Sequence, residues 1–137
     1  MNLRKLHIVL IILLLSATAK GQYLVGKHVD EIKQIIKNEH KLLKLNTTNV
    51  NKAYNYLKYE DKINEITVLF FLDETNHCKM VRMMYDYSNI NDVLTFLKSD
   101  MKKTGLKEYE YKIDKKTLSV VLSEDDWFFT VTAKEKK

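Results

Sequence analysis

The chain has 137 residues, one cysteine, three glycines, no proline and a formal net charge of +5. This length fits one domain, since domains most often span about 100–150 residues, and a single cysteine excludes an internal disulfide framework. Basic residues are interspersed with acidic residues along most of the sequence, except in the terminal segment 134–137, which argues against a nucleic-acid-binding protein, where lysines and arginines cluster.

The N-terminal 21 residues have the three-part layout of a secretory signal peptide. Arg4 and Lys5 precede an apolar run from Leu6 to Leu15, and small residues follow it. The run is shorter than the roughly 20 apolar residues of a transmembrane helix. The sequence therefore predicts cleavage after Ala19 or Gly21 and export to the periplasm or the cell exterior. The mature chain, 22–137, is expected to form a single domain without a membrane anchor.

The first half of the mature sequence predicts a helix followed by three strands. A helical stripe of apolar residues follows Gly26: Val29, Ile32, Ile35 and Ile36. Residues 54–59 and 63–72 are expected to be extended, and the second segment is apolar on both faces toward its end, which is typical of a central strand. A turn at 73–76 leads into a returning strand over 79–87.

The second half repeats this order. Apolar residues at helical spacing predict the next helix: Ile90, Val93, Leu94, Leu97 and Met101. Gly105 is expected to end it, and strands are expected over 107–114, 117–123 and 127–133. We predict an α+β fold in which two helices pack on one face of an antiparallel sheet of five or six strands. The repeated order fits either a duplicated α-β-β-β unit or an ordinary α+β domain.

No pattern in the sequence indicates catalysis, a metal or a cofactor. His77 and Cys78 are neighbours, but neighbours on a strand point to opposite faces, so a Cys–His pair is not expected. We predict that Cys78 is a buried thiol, with a reactive thiol as the alternative. The histidines that remain after signal removal, His28, His40 and His77, lack the spacing of metal ligands. We therefore predict no catalytic or metal-binding residues.

Aromatic residues of the expected strands are the candidate binding surface. Tyrosine and tryptophan are enriched at protein interfaces, and a sheet with helices on one face leaves the other face open. The candidate partner-binding residues are Tyr54, Tyr56, Tyr85, Tyr87, Tyr109, Tyr111 and Trp127. The alternative is that these rings pack beneath the helices, because the sequence does not fix the register of the strands.

The export signal, the segment Gly26-Lys27-His28-Val29-Asp30-Glu31-Ile32 and the tandem helix-then-sheet units carry a family resemblance. The chain resembles small exported bacterial proteins of the beta-lactamase-inhibitor-protein-like and SmpA-like group. In that group a Ser or Thr often caps the helix two residues after the glycine, where this chain has His28. The resemblance implies protein binding across an open sheet face and brings no catalytic residue with it.

These observations predict an exported, non-enzymatic protein that binds a protein or peptide partner. One alternative is a small-molecule-binding protein or an enzyme with a pocket between helices and sheet, using His77, Cys78 and nearby tyrosines. Another is a structural component of an envelope assembly. Exposed aromatic rings on a sheet face favour the first hypothesis, and a deep pocket that gathers His, Cys and carboxylates favours the second.

Overall fold

A computed structural model describes residues 24–48, 53–113 and 115–137, and the expected signal peptide lies outside these residues. The helices are α1 (Val29–Glu39) and α2 (Ile90–Asp100), and a short 3₁₀ turn, Tyr87–Asn89, precedes α2. The strands are β1 (Lys44–Leu45), β2 (Tyr56–Asp61), β3 (Ile66–Leu72), β4 (Cys78–Asp86), β5 (Lys102–Lys103), β6 (Glu108–Ile113), β7 (Lys116–Glu124) and β8 (Phe128–Glu135). Neither helix of the described part is long and apolar enough to cross a membrane.

The eight strands form one antiparallel sheet in the order β1-β2-β3-β4-β8-β7-β6-β5. The prediction of an α+β fold with two helices and a single antiparallel sheet is confirmed, but the expected five or six strands are corrected to eight. The missed strands, β1 and β5, have two residues each and lie at the sheet edges. Two residues are too few to show alternation, which needs about four.

The two halves of the sheet have the same strand order: in each, the strands follow chain order from the edge of the sheet to its centre. In each half a helix leads to a short edge strand, and the next three strands step inward. The last strands of the two halves, β4 and β8, pair along the middle of the sheet, where Met83 lies opposite Val131. The repeat of element order seen in the sequence is therefore present in the fold, with one more short strand in each half.

One face of the sheet forms the core with both helices. Along β3, Ile66, Val68 and Phe70 are buried, and the residues between them are partly exposed, as the period-two geometry of a strand requires. The register aligns Val68 with Met83 and Val131 on the same face. The buried side chains of α1 and α2 belong to this same core: Ile32, Ile36, Val93 and Leu97.

A side-chain cap begins α1, and a change to extended backbone ends α2. The ring Nδ1 of His28 caps α1 by accepting the backbone N–H of Asp30 at 3.3 Å. Gly105 does not end α2, contrary to expectation. The helix ends at Asp100 because Met101 adopts extended backbone and turns its side chain into the core.

Candidate functional site

The face of the sheet that points away from the helices is the candidate functional site, and we call it the open face. The residues between the buried ones on each strand lie on it. In the first half it is largely apolar, with these residues on β2, β3 and β4: Tyr56, Leu69, Phe71, Met80 and Met84. All five are partly buried, and none belongs to the buried core or to the side chains packed against it.

The strand register brings three of these side chains into one row across the sheet. Tyr56 lies opposite Phe71 on β3, and Phe71 lies opposite Met80 on β4. The Tyr56 and Phe71 ring centroids are 5.7 Å apart with the rings tilted by 42°, within the range for attractive aromatic pairs. The row therefore presents a continuous apolar strip across three strands.

Arg82 borders this strip and is held by an aromatic ring. Its Cζ lies 5.7 Å from the centroid of the Phe71 ring, a distance at which a guanidinium is attracted to the face of the ring. Arg82 forms no ion pair within the described residues. Its charge therefore remains available to a carboxylate from outside.

Two carboxylates of the open face, Glu60 and Glu110, are matched by lysines. Glu60 accepts a hydrogen bond from Asn46 at 2.8 Å and another from Lys58, with which it forms an ion pair at 3.0 Å. These hydrogen bonds, that from Asn46 first, lower the pKa of Glu60. Lys136 pairs with Glu110 and likewise lowers the pKa of that carboxyl. The unpaired charges beside the apolar strip are therefore positive within the described residues: Arg82, and Lys134, which lies opposite Met80 on β8.

The second half of the open face has a different chemistry. On β7 and β8 the corresponding positions are mostly short hydroxyl residues: Ser119, Ser123, Thr130 and Thr132. Val121 is 37% exposed, and the largest apolar side chain among them is the partly buried Phe128 at the start of β8. The two halves therefore share an element order but not a surface, and the features typical of a binding site lie in the first half.

Two of the candidate tyrosines are corrected by their burial. Tyr85 and Tyr109 are 4% and 3% exposed and lie in the core between sheet and helices. Tyr85 stacks on Phe129 with ring centroids 5.1 Å apart. Both rings are inaccessible to a partner in this conformation, because alternation puts them on the covered face of their strands.

Two more candidates are partly buried against the core. Tyr111 lies on the covered face of β6, two residues after Tyr109. Tyr87 lies in the 3₁₀ turn after β4, packs on Phe129 and donates its hydroxyl to the carbonyl oxygen of Asp125. Both therefore stabilise the fold, and neither lies on the open face.

The remaining candidates are accessible but do not lie together. Tyr56 is on the open face, and Tyr54, 62% exposed, lies two residues before it in the chain. Trp127 is 85% exposed and lies in the turn between β7 and β8. The sequence predicted a strand beginning at Trp127, but β8 begins one residue later, at Phe128. The structure therefore brings together Tyr54 and Tyr56 and separates Trp127 from them.

Sequence reasoning missed Leu69, Phe71, Met80 and Arg82 as site residues. The signal was present, because residues 66–72 are apolar at every position except Thr67. We interpreted this as a strand covered on both faces. The helices cover only one face, so half of that apolar run is left on the open face.

Cys78 is buried, as predicted. Its side chain is 2% exposed, and burial raises the pKa of the thiol to about 12. His77 is exposed and shares a hydrogen bond between its ring Nδ1 and the hydroxyl of Thr75. The pair does not converge on a common site, and no group of three or more His, Cys, Asp or Glu side chains within the described ranges could hold a metal ion.

The fold and the open face define a class of protein: a single antiparallel sheet covered by helices on one side, with an aromatic, arginine-bordered strip on the other. Comparisons with protein-family models, with curated proteins and with solved structures gave no match to this chain.

Proposed function

We propose that the protein is an exported binding module that holds a protein or peptide partner against the first half of the open face. The observation that carries this proposal is the strip of Tyr56, Phe71 and Met80, bordered by Arg82. Aromatic residues, methionine and arginine are enriched at protein interfaces, and tyrosine and arginine are frequent among the residues that dominate binding energy. The resemblance noted in the sequence supports the same use of an open sheet face.

The charge of the site indicates the chemistry of the partner. Arg82 lacks a carboxylate partner within the described residues, whereas Glu60 and Glu110 are paired with lysines. A guanidinium binds a carboxylate with two parallel hydrogen bonds. The partner we expect therefore has an apolar contact surface with an Asp or Glu side chain placed to reach Arg82.

A binding experiment tests the proposal directly. The mature protein, immobilised, is incubated with the exported fraction of the source cells, and retained proteins are identified by mass spectrometry. Arg82→Ala and Tyr56→Ala are each expected to weaken retention of a specific partner by about 10-fold or more, the range for residues that dominate an interface. Circular dichroism confirms that each variant is folded.

A matched control separates the first half of the open face from the second half. Thr132→Ala changes the residue that pairs with Arg82 on β8, in the hydroxyl-rich half of the same face. It is expected to leave retention unchanged. Equal retention by wild type and by both first-half variants, or equal loss with Thr132→Ala, contradicts the proposed site.

Export is the second part of the proposal and has its own test. The N-terminal sequence supports it through its cations, apolar run and small residues. Mass spectrometry of the protein recovered from source cells is expected to show an N-terminus at Lys20 or Gln22. Recovery of a chain that retains residues 1–19 contradicts a cleaved signal.

A further inference from the structure

The strands β6, β7 and β8 carry opposite charges at their two ends. At one end the turn between β7 and β8 is acidic, with Glu124, Asp125 and Asp126. At the other end the residues are mostly lysines: Lys112, Lys115, Lys116, Lys136 and Lys137. Lys116 and Glu124 are the first and last residues of β7, so the two ends lie roughly 26 Å apart at about 3.3 Å per residue.

The acidic end also has the most exposed apolar side chains of the described residues. Trp127 and Leu106 are each 85% exposed, and Ile63, in the turn between β2 and β3 at the same end of the sheet, is 77% exposed. The backbone carbonyl of Lys107 accepts a hydrogen bond from Leu122, which holds the Leu106 loop beside the end of β7. Large apolar side chains exposed together mark interaction sites.

Internal ion pairs neutralise only part of each end. At the acidic end Lys107 pairs with Glu124 at 2.5 Å, but no ion pair of the described residues includes Asp125 or Asp126. At the basic end Lys116 pairs with Glu135, and Lys136 pairs with Glu110. Lys112, Lys115 and Lys137 form no ion pair within the described part, and all three are exposed.

Tyr87 also indicates that the electrostatic potential at the acidic end is negative. Its pKa is raised, first by desolvation and then by the charges of Glu124 and Asp125, with an opposing effect from Lys107. Its hydroxyl binds the carbonyl of Asp125 and so fixes the turn that carries Trp127. The acidic end is therefore ordered and negative as well as apolar.

We propose that the acidic end binds the basic end of a second copy of this chain, in head-to-tail association. Each end is complementary in charge to the other and not to itself. In this arrangement an ammonium group from Lys112, Lys115 or Lys137 of the second copy lies against the indole face of Trp127, the best ring for such a contact. The aliphatic stems of the lysines cover Leu106.

This association has a defined geometry and leaves the open face exposed. Contacts between different ends of identical molecules are heterologous, so they form rings or open chains instead of closed two-fold dimers. A row of copies would present several open faces at once, which increases the avidity for a partner with repeated binding segments. The proposal does not depend on the open face being a binding site.

Sedimentation velocity on the mature protein tests the proposal, with Trp127 as a reporter because it is the only tryptophan in the chain. At low ionic strength the sedimentation coefficient is expected to rise with protein concentration, and the Trp127 emission is expected to shift to the blue. Both changes are expected to disappear at about 1 M salt, where the screening length falls to about 3 Å. A monomer at every concentration at low salt overturns the proposal.

Two neutralised variants test the head-to-tail geometry. Asp125→Asn with Asp126→Asn removes the free acids, and Lys112→Gln with Lys115→Gln removes two free cations. Each variant alone is expected to be monomeric, whereas their mixture is expected to form a 1:1 complex and no larger species, because one intact end of each kind remains. A mixture that stays monomeric, or either variant that still self-associates, overturns the proposal.

A control variant accounts for the loss of positive charge itself. Lys33→Gln with Lys37→Gln removes the same charge from exposed positions of α1. It is expected to self-associate like wild type, and loss of association in this variant overturns the assignment to the basic end. Far-UV circular dichroism confirms the fold of each variant.

Discussion

Cys78 shows at the residue scale how a strand position determines chemical reactivity. It is the first residue of β4 and points into the core, and its Sγ donates to the carbonyl oxygen of Met80 at 3.5 Å. Burial raises the pKa of the thiol to about 12. The thiolate is the reactive form of cysteine, so this thiol is unreactive in the folded protein.

The pH dependence of stability follows from that raised pKa. The thiol stabilises the folded state fully below its unfolded pKa of 9.0, and this contribution is lost as the pH rises toward about 12. We expect the stability difference between wild type and Cys78→Ala to shrink above about pH 9, by up to about 1.4 kcal/mol per pH unit. Urea denaturation of both proteins from about pH 8 to about pH 10.5 measures it. A difference that does not change with pH contradicts the burial of the thiol.

Gly26 is the second position where one residue type matters. Its φ is +90°, a region that costs an L-residue about 1–2 kcal/mol. Its N–H donates to the carbonyl of Cys78 at 2.7 Å, which joins the segment before α1 to β4. We expect Gly26→Ala to lower the free energy of unfolding by about 1–2 kcal/mol, measured by urea denaturation.

A double mutant separates backbone strain from crowding at this position. A Cβ on residue 26 would lie 2.7 Å from the Nζ of Lys116. That atom ends a flexible side chain and can move away. The cost of Gly26→Ala is therefore expected to be the same in a Lys116→Ala background, and a cost that disappears there would show that crowding is the cause.

At the element scale, the turn between β3 and β4 is organised by one carboxylate. The Oδ1 of Asp73 accepts hydrogen bonds from the backbone N–H of His77, the hydroxyl of Thr75 and the backbone N–H of Thr75, at 2.8–2.9 Å. These bonds, with that from His77 first, lower the pKa of Asp73. Its contribution to stability is present above the unfolded pKa and is lost as the pH falls through the lower folded pKa.

We therefore expect Asp73→Asn to lower the urea midpoint at about pH 7 and to lower it less at about pH 3, which is below the unfolded pKa of 3.8, because part of the contribution is lost there. Glu74→Gln is the matched control, because it removes the same charge from the next, exposed position and forms no hydrogen bond within the described residues. It is expected to leave the midpoint unchanged at both values. An equal loss at both values for Asp73→Asn would mean that the charge is not the cause.

The elements differ in how much of them the sequence could predict. The helices and the six longer strands follow from periods of 3.6 and two residues, which Ile90, Val93 and Leu97 on α2 and Ile66, Val68 and Phe70 on β3 display. The edge strands β1 and β5 could not be predicted, because two residues show no period. Their pairing depends on the neighbouring strands and not on their own sequence.

The candidate site was harder to predict for a related reason. Alternation shows that Tyr109 and Tyr111 share one face of β6, but it does not show whether the helices cover that face. The covering is set by how α1 and α2 pack in three dimensions. Phe71 and Arg82 were therefore missed, whereas Tyr85 and Tyr109 were included although they belong to the core.

At the scale of the whole molecule, the two halves have the same element order and stabilise each other where β4 pairs with β8, which we call the seam. β4 and β8 pair over seven residue pairs, from Met80 opposite Lys134 to Asp86 opposite Phe128. Buried side chains line this seam on the helix side: Val81, Met83 and Tyr85 on β4, and Phe129, Val131 and Ala133 on β8. Each half alone would have an exposed central strand edge and only half of the core, and a unit of about 60 residues is marginally stable at best.

We therefore expect residues 24–86 and 87–137, produced as separate chains, to be largely unfolded alone and to form a native-like 1:1 complex when mixed. Far-UV circular dichroism of the mixture, compared with the sum of the separate spectra, measures the gain, and size-exclusion chromatography gives the stoichiometry. Val131→Asp in the second chain is expected to abolish the gain, because a charge would be buried at the seam. Thr132→Asp, one residue further on the open face, is expected to permit it. A native spectrum from either chain alone, or equal complementation by the two variants, would show that the seam does not couple the halves.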